Sequence, residues 1–298
     1  MRPLRTISVL PTMFTLGNLV CGFFAVVVAA RVSAPTLPAE IGPEDLQEVA
    51  VAAPLVPGRP VLPKTSPEDL HNVMLSGWLI FIAMVFDALD GHVARLSRTS
   101  SDFRAELDSL CDVVSFGVAP GFLLVKICPR FAFLHREAVW IIAATFAACA
   151  ALRLARFNVE TGDEDDHLHF SGLPSPAAAG SIAGFALIFY TLLGKSGLNP
   201  PPFAETIYAI LQTVLPFYAI LVALLMVSRI PYPHVVNQVF RGERSFSHIV
   251  KLVFAVLAVM IIPGYAVPIV FCAFVLGSPL RFAWERLVRH RHQEEPVF

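Results

Sequence analysis

Apolar residues in this chain run in long blocks rather than alternating, and the blocks are about as long as a bilayer is thick. A helix rises about 1.5 Å per residue, so roughly twenty apolar residues cross the hydrocarbon layer. Blocks of that kind occupy approximately 11–30, 74–96, 108–127, 138–156, 174–193, 206–228, 248–262 and 265–283. Only Pro263-Gly264, a helix-breaking pair, parts the last two, which could form one kinked element. The stretch 31–73 breaks the pattern. Eight prolines from Pro35 to Pro67 and few aromatics mark it as an extended extramembrane insert. The expected fold is therefore all-α, a polytopic membrane bundle of about eight transmembrane helices forming one membrane domain over 1–298. Residues 284–298, with Arg286, Arg289, His290, Arg291 and His292, read as a basic cytoplasmic tail facing anionic lipid.

Composition agrees with the block pattern. The chain is 56% hydrophobic and 15% charged, where a soluble domain of this size needs roughly a quarter of its residues charged to cover its surface. A net charge of −1 gives no basic field for nucleic acid. Arg2 and Arg5 precede an apolar stretch ending Val28-Ala29-Ala30, as in a signal peptide, but its length and its Pro11, Thr15, Gly17 and Asn18 favour a retained first helix. The five cysteines are scattered, without a CxxC pair, and read as small apolar side chains. With eight spans and the N-terminus inside, fifteen Lys and Arg fall on one side and seven on the other. By the positive-inside rule both termini are cytoplasmic, in the cell (inner) membrane.

Against this background one group of carboxylates stands out, because acids beside a membrane segment are costly. The second span ends Phe86-Asp87-Ala88-Leu89-Asp90-Gly91-His92-Val93-Ala94-Arg95. Asp87 and Asp90, at i and i+3, share a helix face. The third span opens with Asp108 and Asp112, at i and i+4, again on one face. A connection of about a dozen residues brings the two ends together, so four carboxylates converge. Mutual repulsion would drive them apart without cations, and Mg²⁺ or Mn²⁺, which prefer oxygen ligands, resolves it. The plainer alternative is an exposed, solvated acidic edge. Gly91 and Ala94 leave room on the helix surface, and Arg95 offers a planar cation to phosphate oxygens.

The run Asp87-x-x-Asp90-Gly91-x-x-Ala94-Arg95, followed at fixed spacing by Asp108-x-x-x-Asp112, resembles the signature of the CDP-alcohol phosphatidyltransferases. The resemblance implies a six-helix catalytic core, a homodimer, and a pair of divalent metal ions bridging the pyrophosphate of a CDP-lipid. It implies that Asp87, Asp90, Asp108 and Asp112 ligate metal and that Asp112 is also the general base. Asp90, Gly91, Ala94, Arg95 and Ser101 would line the cytidine diphosphate site. One position departs: the pattern has glycine where this chain has Arg104. The side chain could swing toward the cytosol, intrude on the nucleotide, or contact phosphate.

Further segments bear on the acceptor. Arg153, Arg156 and Asn158 close the fourth span, Gly172-Leu173-Pro174-Ser175-Pro176 enters the fifth, and Pro11-Thr12, Thr15 and Asn18 lie in the first. Together they resemble the phosphatidylserine synthase branch, which implies transfer of a phosphatidyl group from CDP-diacylglycerol to L-serine. Charge alone does not decide, since Arg153 and Arg156 suit glycerol phosphate or inositol phosphate as well, or serve as positive-inside anchors. Thr15 and Asn18 could instead join helices by hydrogen bonds. His167 and His169 lie in an acidic loop and read as solvated. A transporter or scaffold would show charge at the midplane of several helices or an inverted repeat, and neither is evident.

Overall fold

The computed structural model describes residues 9–33, 66–97, 102–128, 136–160, 170–194, 201–232, 257 and 259–293. Its helices are α1 (Val9–Ala30), α2 (Pro67–Ser97), α3 (Asp102–Asp112), α4 (Ala119–Ile127), α5 (Arg136–Glu160), α6 (Ser175–Phe189), α7 (Pro202–Val227) and α8 (Pro263–Gln293). A π-helical turn, Val113–Val118, joins α3 to α4, and a second, Tyr190–Gly194, prolongs α6. Two two-residue strands, β1 (Phe170–Ser171) and β2 (Pro231–Tyr232), pair antiparallel and staple the entry of α6 to the end of α7. Among the described residues seven helical stretches are long and apolar enough to cross a membrane. The chain thus folds as an all-α polytopic bundle. The additional span read over 248–262 lies mostly outside the described residues.

Helix α2 begins seven residues before the apolar block does. Ser66 caps it, its Oγ accepting the Asp69 main-chain N–H at 3.0 Å, and Pro67 takes the first helical position, where its missing N–H costs nothing. Residues 67–73 therefore belong to α2 and not to the proline-rich insert. Asp69 in turn accepts the Ser33 N–H at 2.9 Å, tying the end of α1 to the start of α2. Similarly, α8 continues through residues read as tail, as far as Gln293.

From α1 to α7 successive spans alternate in direction, α3 and α4 together making one span. Helix α1 pairs antiparallel with α2, where Ser76 Oγ donates to Ala25 O at 2.8 Å. Helix α6 lies at the centre, twelve of its residues buried, and packs on α2, α7 and α8. Its Ala- and Gly-rich sequence explains why, since small residues let helix backbones approach where lipid supplies no hydrophobic drive. A Cβ on Gly184 would stand 2.9 Å from Pro268 Cα of α8. Gly172, at φ 89°, lets the α6 entry turn sit against the carbonyls of Met226 and Ser228, and its N–H donates to Ile230 O at 3.0 Å. Helix α7 ends beside this turn, whereas α8 starts beside Thr191 at the far end of α6. These two neighbours in sequence thus meet the bundle at opposite ends.

Candidate active site

The end of the bundle where α1 begins and α2 finishes gathers nearly every polar side chain that the sequence singled out. Helix α2 carries Asp87 and Asp90 in its last turns. Arg104, Asp108 and Asp112 recur every four residues along α3, so one helical face presents all three. Thr15 and Asn18 reach in from α1, Arg153 and Asn158 from the end of α5, and Ser175 from the first turn of α6.

Asp87, Asp108 and Asp112 converge, with one carboxylate oxygen from each within 4.8 Å of the others. Asp112 is buried, and its Oδ1 accepts the Asn18 Nδ2 amide at 2.8 Å. Asp108 Oδ1 is buried without a hydrogen-bond donor. Asp90, 2% exposed, lies beside Asp108 and has further partners of its own. Thr15 Oγ1 donates to its Oδ2 at 2.6 Å, and the Arg104 guanidinium forms an ion pair with its Oδ1. Arg104 Nη2 also donates to the Asp90 main-chain carbonyl at 3.1 Å.

Of the three arrangements its sequence position allowed, the outward swing is not the one adopted by Arg104. Its side chain is 12% exposed, turned inward onto Asp90 and not toward solvent.

On the other wall, Arg153 Nη1 donates to Ser175 Oγ at 2.9 Å while its Nε is buried without an acceptor. Its charge acts on both Asp112 and Asp87. Asn158 Nδ2 donates to Ser109 Oγ at 2.9 Å, joining the exposed ends of α5 and α3. Arg156 is half-buried on the same helix end. Beside the carboxylates, Gly91 is exposed, and a Cβ built there meets nothing within 4 Å, which leaves open space. Ala94 and Arg95 continue α2 past the site, and Ser101, His167 and His169 lie outside the described residues. Nothing in the sequence marks Ser175 and Ser109 as partners of the α5 residues. The only available signal was a hydroxyl placed at a helix start, directly after Pro174.

The trio fits a divalent cation of the Mg²⁺ or Mn²⁺ type. All its donors are hard carboxylate oxygens, one is a buried oxygen that no protein donor satisfies, and three acids this close repel one another strongly without a cation.

Comparison with known proteins places the chain among relatives. The chain is 41% identical over 162 residues to a CDP-diacylglycerol–serine O-phosphatidyltransferase of Methanocaldococcus jannaschii, covering 54% of this chain and 65% of that protein. It is 33% identical over 167 residues to the protein of the same name from Helicobacter pylori, covering 55% and 62%. An archaetidylserine synthase of Methanothermobacter thermautotrophicus is 36% identical over 160 residues, covering 53% and 57%. The matched stretch thus spans less than two thirds of each of these relatives. The family pattern of the CDP-alcohol phosphatidyltransferases covers far more, matching residues 8–277, and the chain belongs to that family.

Proposed function

We propose that this chain transfers a phosphatidyl group from CDP-diacylglycerol to L-serine, giving phosphatidylserine and CMP. The observation that carries the reading is the trio Asp87, Asp108 and Asp112, brought together at one end of a membrane bundle with Arg153 facing it. The names of the relatives support serine as acceptor.

In this reading the serine hydroxyl oxygen attacks the β-phosphorus, which bears the diacylglycerol. The bond from that phosphorus to the CMP oxygen breaks, and CMP leaves with the electron pair. Asp112 takes the hydroxyl proton, held in orientation by Asn18, whose amide occupies one carboxylate oxygen and leaves the other to the substrate. Arg153, steadied by Ser175, binds the serine carboxylate or the lipid phosphate as a charge-assisted donor. Asp87, Asp108 and Asp112, with Asp90 once Arg104 gives way, would hold divalent metal, a pair of ions, which supplies charge neutralisation at the pyrophosphate and the leaving group. The open space at Gly91 suits the cytidine diphosphate, and the family resemblance assigns Ala94, Arg95 and Ser101 to the same ligand. The protein works as a homodimer in the cell (inner) membrane. Helix α1 starts and α8 finishes at the site end, and the arginine excess makes that end cytoplasmic.

The test is purified protein in lipid nanodiscs with CDP-diacylglycerol, or its ether-lipid counterpart, and Mn²⁺ or Mg²⁺. L-serine, glycerol 3-phosphate and inositol phosphate are supplied one at a time, and CMP release and the lipid product are measured. Serine-dependent CMP release with a phosphatidylserine-type product is expected. Release with another alcohol alone would overturn the acceptor. No release with any alcohol would overturn the enzymatic reading.

A further inference from the structure

We propose that Arg104 is a tethered counter-cation, competing with metal for Asp90 and so setting the affinity of this site for divalent ions. The inference rests on the metal reading of the aspartate cluster and adds to it the residue that stands where the resembled family pattern has glycine. Three observations carry it. First, Arg104 sits one helical turn before Asp108 on the same stripe of α3 as Asp108 and Asp112. Second, its guanidinium is committed to Asp90 twice, at the carboxylate and at the main-chain carbonyl. Third, Asp90 is almost fully buried and its second oxygen is taken by Thr15, so Arg104 is its charge partner among the described residues.

The physical consequence is a competition. Four carboxylates crowd this end of the bundle, and the described cations facing them are Arg104 and Arg153. A buried carboxylate stripped of its ion partner is strongly destabilising, so Asp90 exchanges one cation for another rather than standing bare. A metal ion that recruits Asp90 must first displace a guanidinium held in place by its own backbone. Intrinsic affinity is lowered by the fraction of time the competent arrangement is available. A residue without a side chain at this position could not compete.

The test measures Mn²⁺ binding directly, by electron paramagnetic resonance of free Mn²⁺ over protein in nanodiscs, with no CDP-lipid present. Arg104→Gln, which keeps a polar side chain without charge, and Arg104→Gly should each bind Mn²⁺ at least fivefold more tightly than the unaltered protein. Arg104→Lys, which keeps the charge, should stay within twofold. The gain must pass through Asp90, so in an Asp90→Asn background the Arg104→Gln change should alter Mn²⁺ affinity by less than twofold. Unchanged or weaker binding in the first two variants overturns the proposal. A gain that persists in the Asp90→Asn background also overturns it, since Arg104 would then act only as a distant charge. Absence of Mn²⁺ binding by every protein defeats the metal reading itself, a result distinct from equal binding by all.

Discussion

The side-chain amide of Asn18 donates to Oδ1 of Asp112 at 2.8 Å, joining residues 94 apart in sequence. Helix α1 is thereby tied directly to the proposed active site and does more than anchor the chain. The same residue accepts a hydrogen bond on its main-chain oxygen from Ser115 Oγ at 2.9 Å, so α1 grips the third span both at and below Asp112.

Asn18→Ala should lower turnover by about 10–100-fold, the range seen when an outer partner of a metal-ligating carboxylate is removed. The KM for CDP-diacylglycerol should shift less than kcat, because the amide orients the carboxylate and does not bind the lipid. Steady-state kinetics at saturating Mn²⁺ measures this. A variant with unchanged kcat would leave Asn18 as a structural tie only.

The aspartate trio is expected to behave as one unit. Mn²⁺ or Mg²⁺ should raise the melting temperature of the unaltered protein, and Asp87→Asn or Asp108→Asn should abolish both that rise and CMP release. Chelation of metal from the unaltered protein should reproduce the loss of activity, and resupply should restore it. Substantial metal-dependent turnover in either variant would remove the shared-site reading.

Arg153→Ala removes a charge-assisted donor worth about 1.5–3 kcal/mol, and the apparent KM for serine or for CDP-diacylglycerol should rise about tenfold or more. Ser175→Ala removes the hydroxyl that steadies it and should move the same KM in the same direction by a smaller factor. Effects on different substrates in the two variants would show that the pair does not act together.

Gly22 lies against Ser115, and a Cβ there would come within 2.7 Å of the Ser115 main chain. Gly22→Ala should therefore force α1 away from the third span, at a cost of about 1–3 kcal/mol, with a lower melting temperature and lost turnover together. Gly277→Ala, on α8, meets open space and should change neither.

Much of this was legible in the amino-acid pattern. Asp87, Asp108 and Asp112 could be placed because helical spacing and a short connection dictate that their faces meet. The apolar blocks gave the spans because lipid imposes length and composition directly. Three things were hidden. The start of α2 was masked by prolines that elsewhere signal extended chain, although Ser66-Pro67 is a cap followed by a first helical residue. The partner of Arg104 was invisible because a long side chain has many reachable positions and only tertiary packing selects one. Ser109 and Ser175 are ordinary hydroxyls until α5 is seen to lie over them.

The π-helical turn at Val113–Val118 follows directly on Asp112 and leaves the four-residue spacing of Arg104, Asp108 and Asp112 undisturbed. Its effect falls on what comes after. One extra residue wound into a helix turns everything downstream by roughly 100° about the axis. That rotation carries Ser115, Phe116 and Gly117 inward, and with them the face of α4 that includes Gly121, Leu124 and Ile127. The third span is thus two helices of different phase on one rod, a polar half keyed to the aspartates and an apolar half keyed to the bundle. Deleting a single residue within the turn would set the halves against each other, so that no one rotation of the rod could satisfy both.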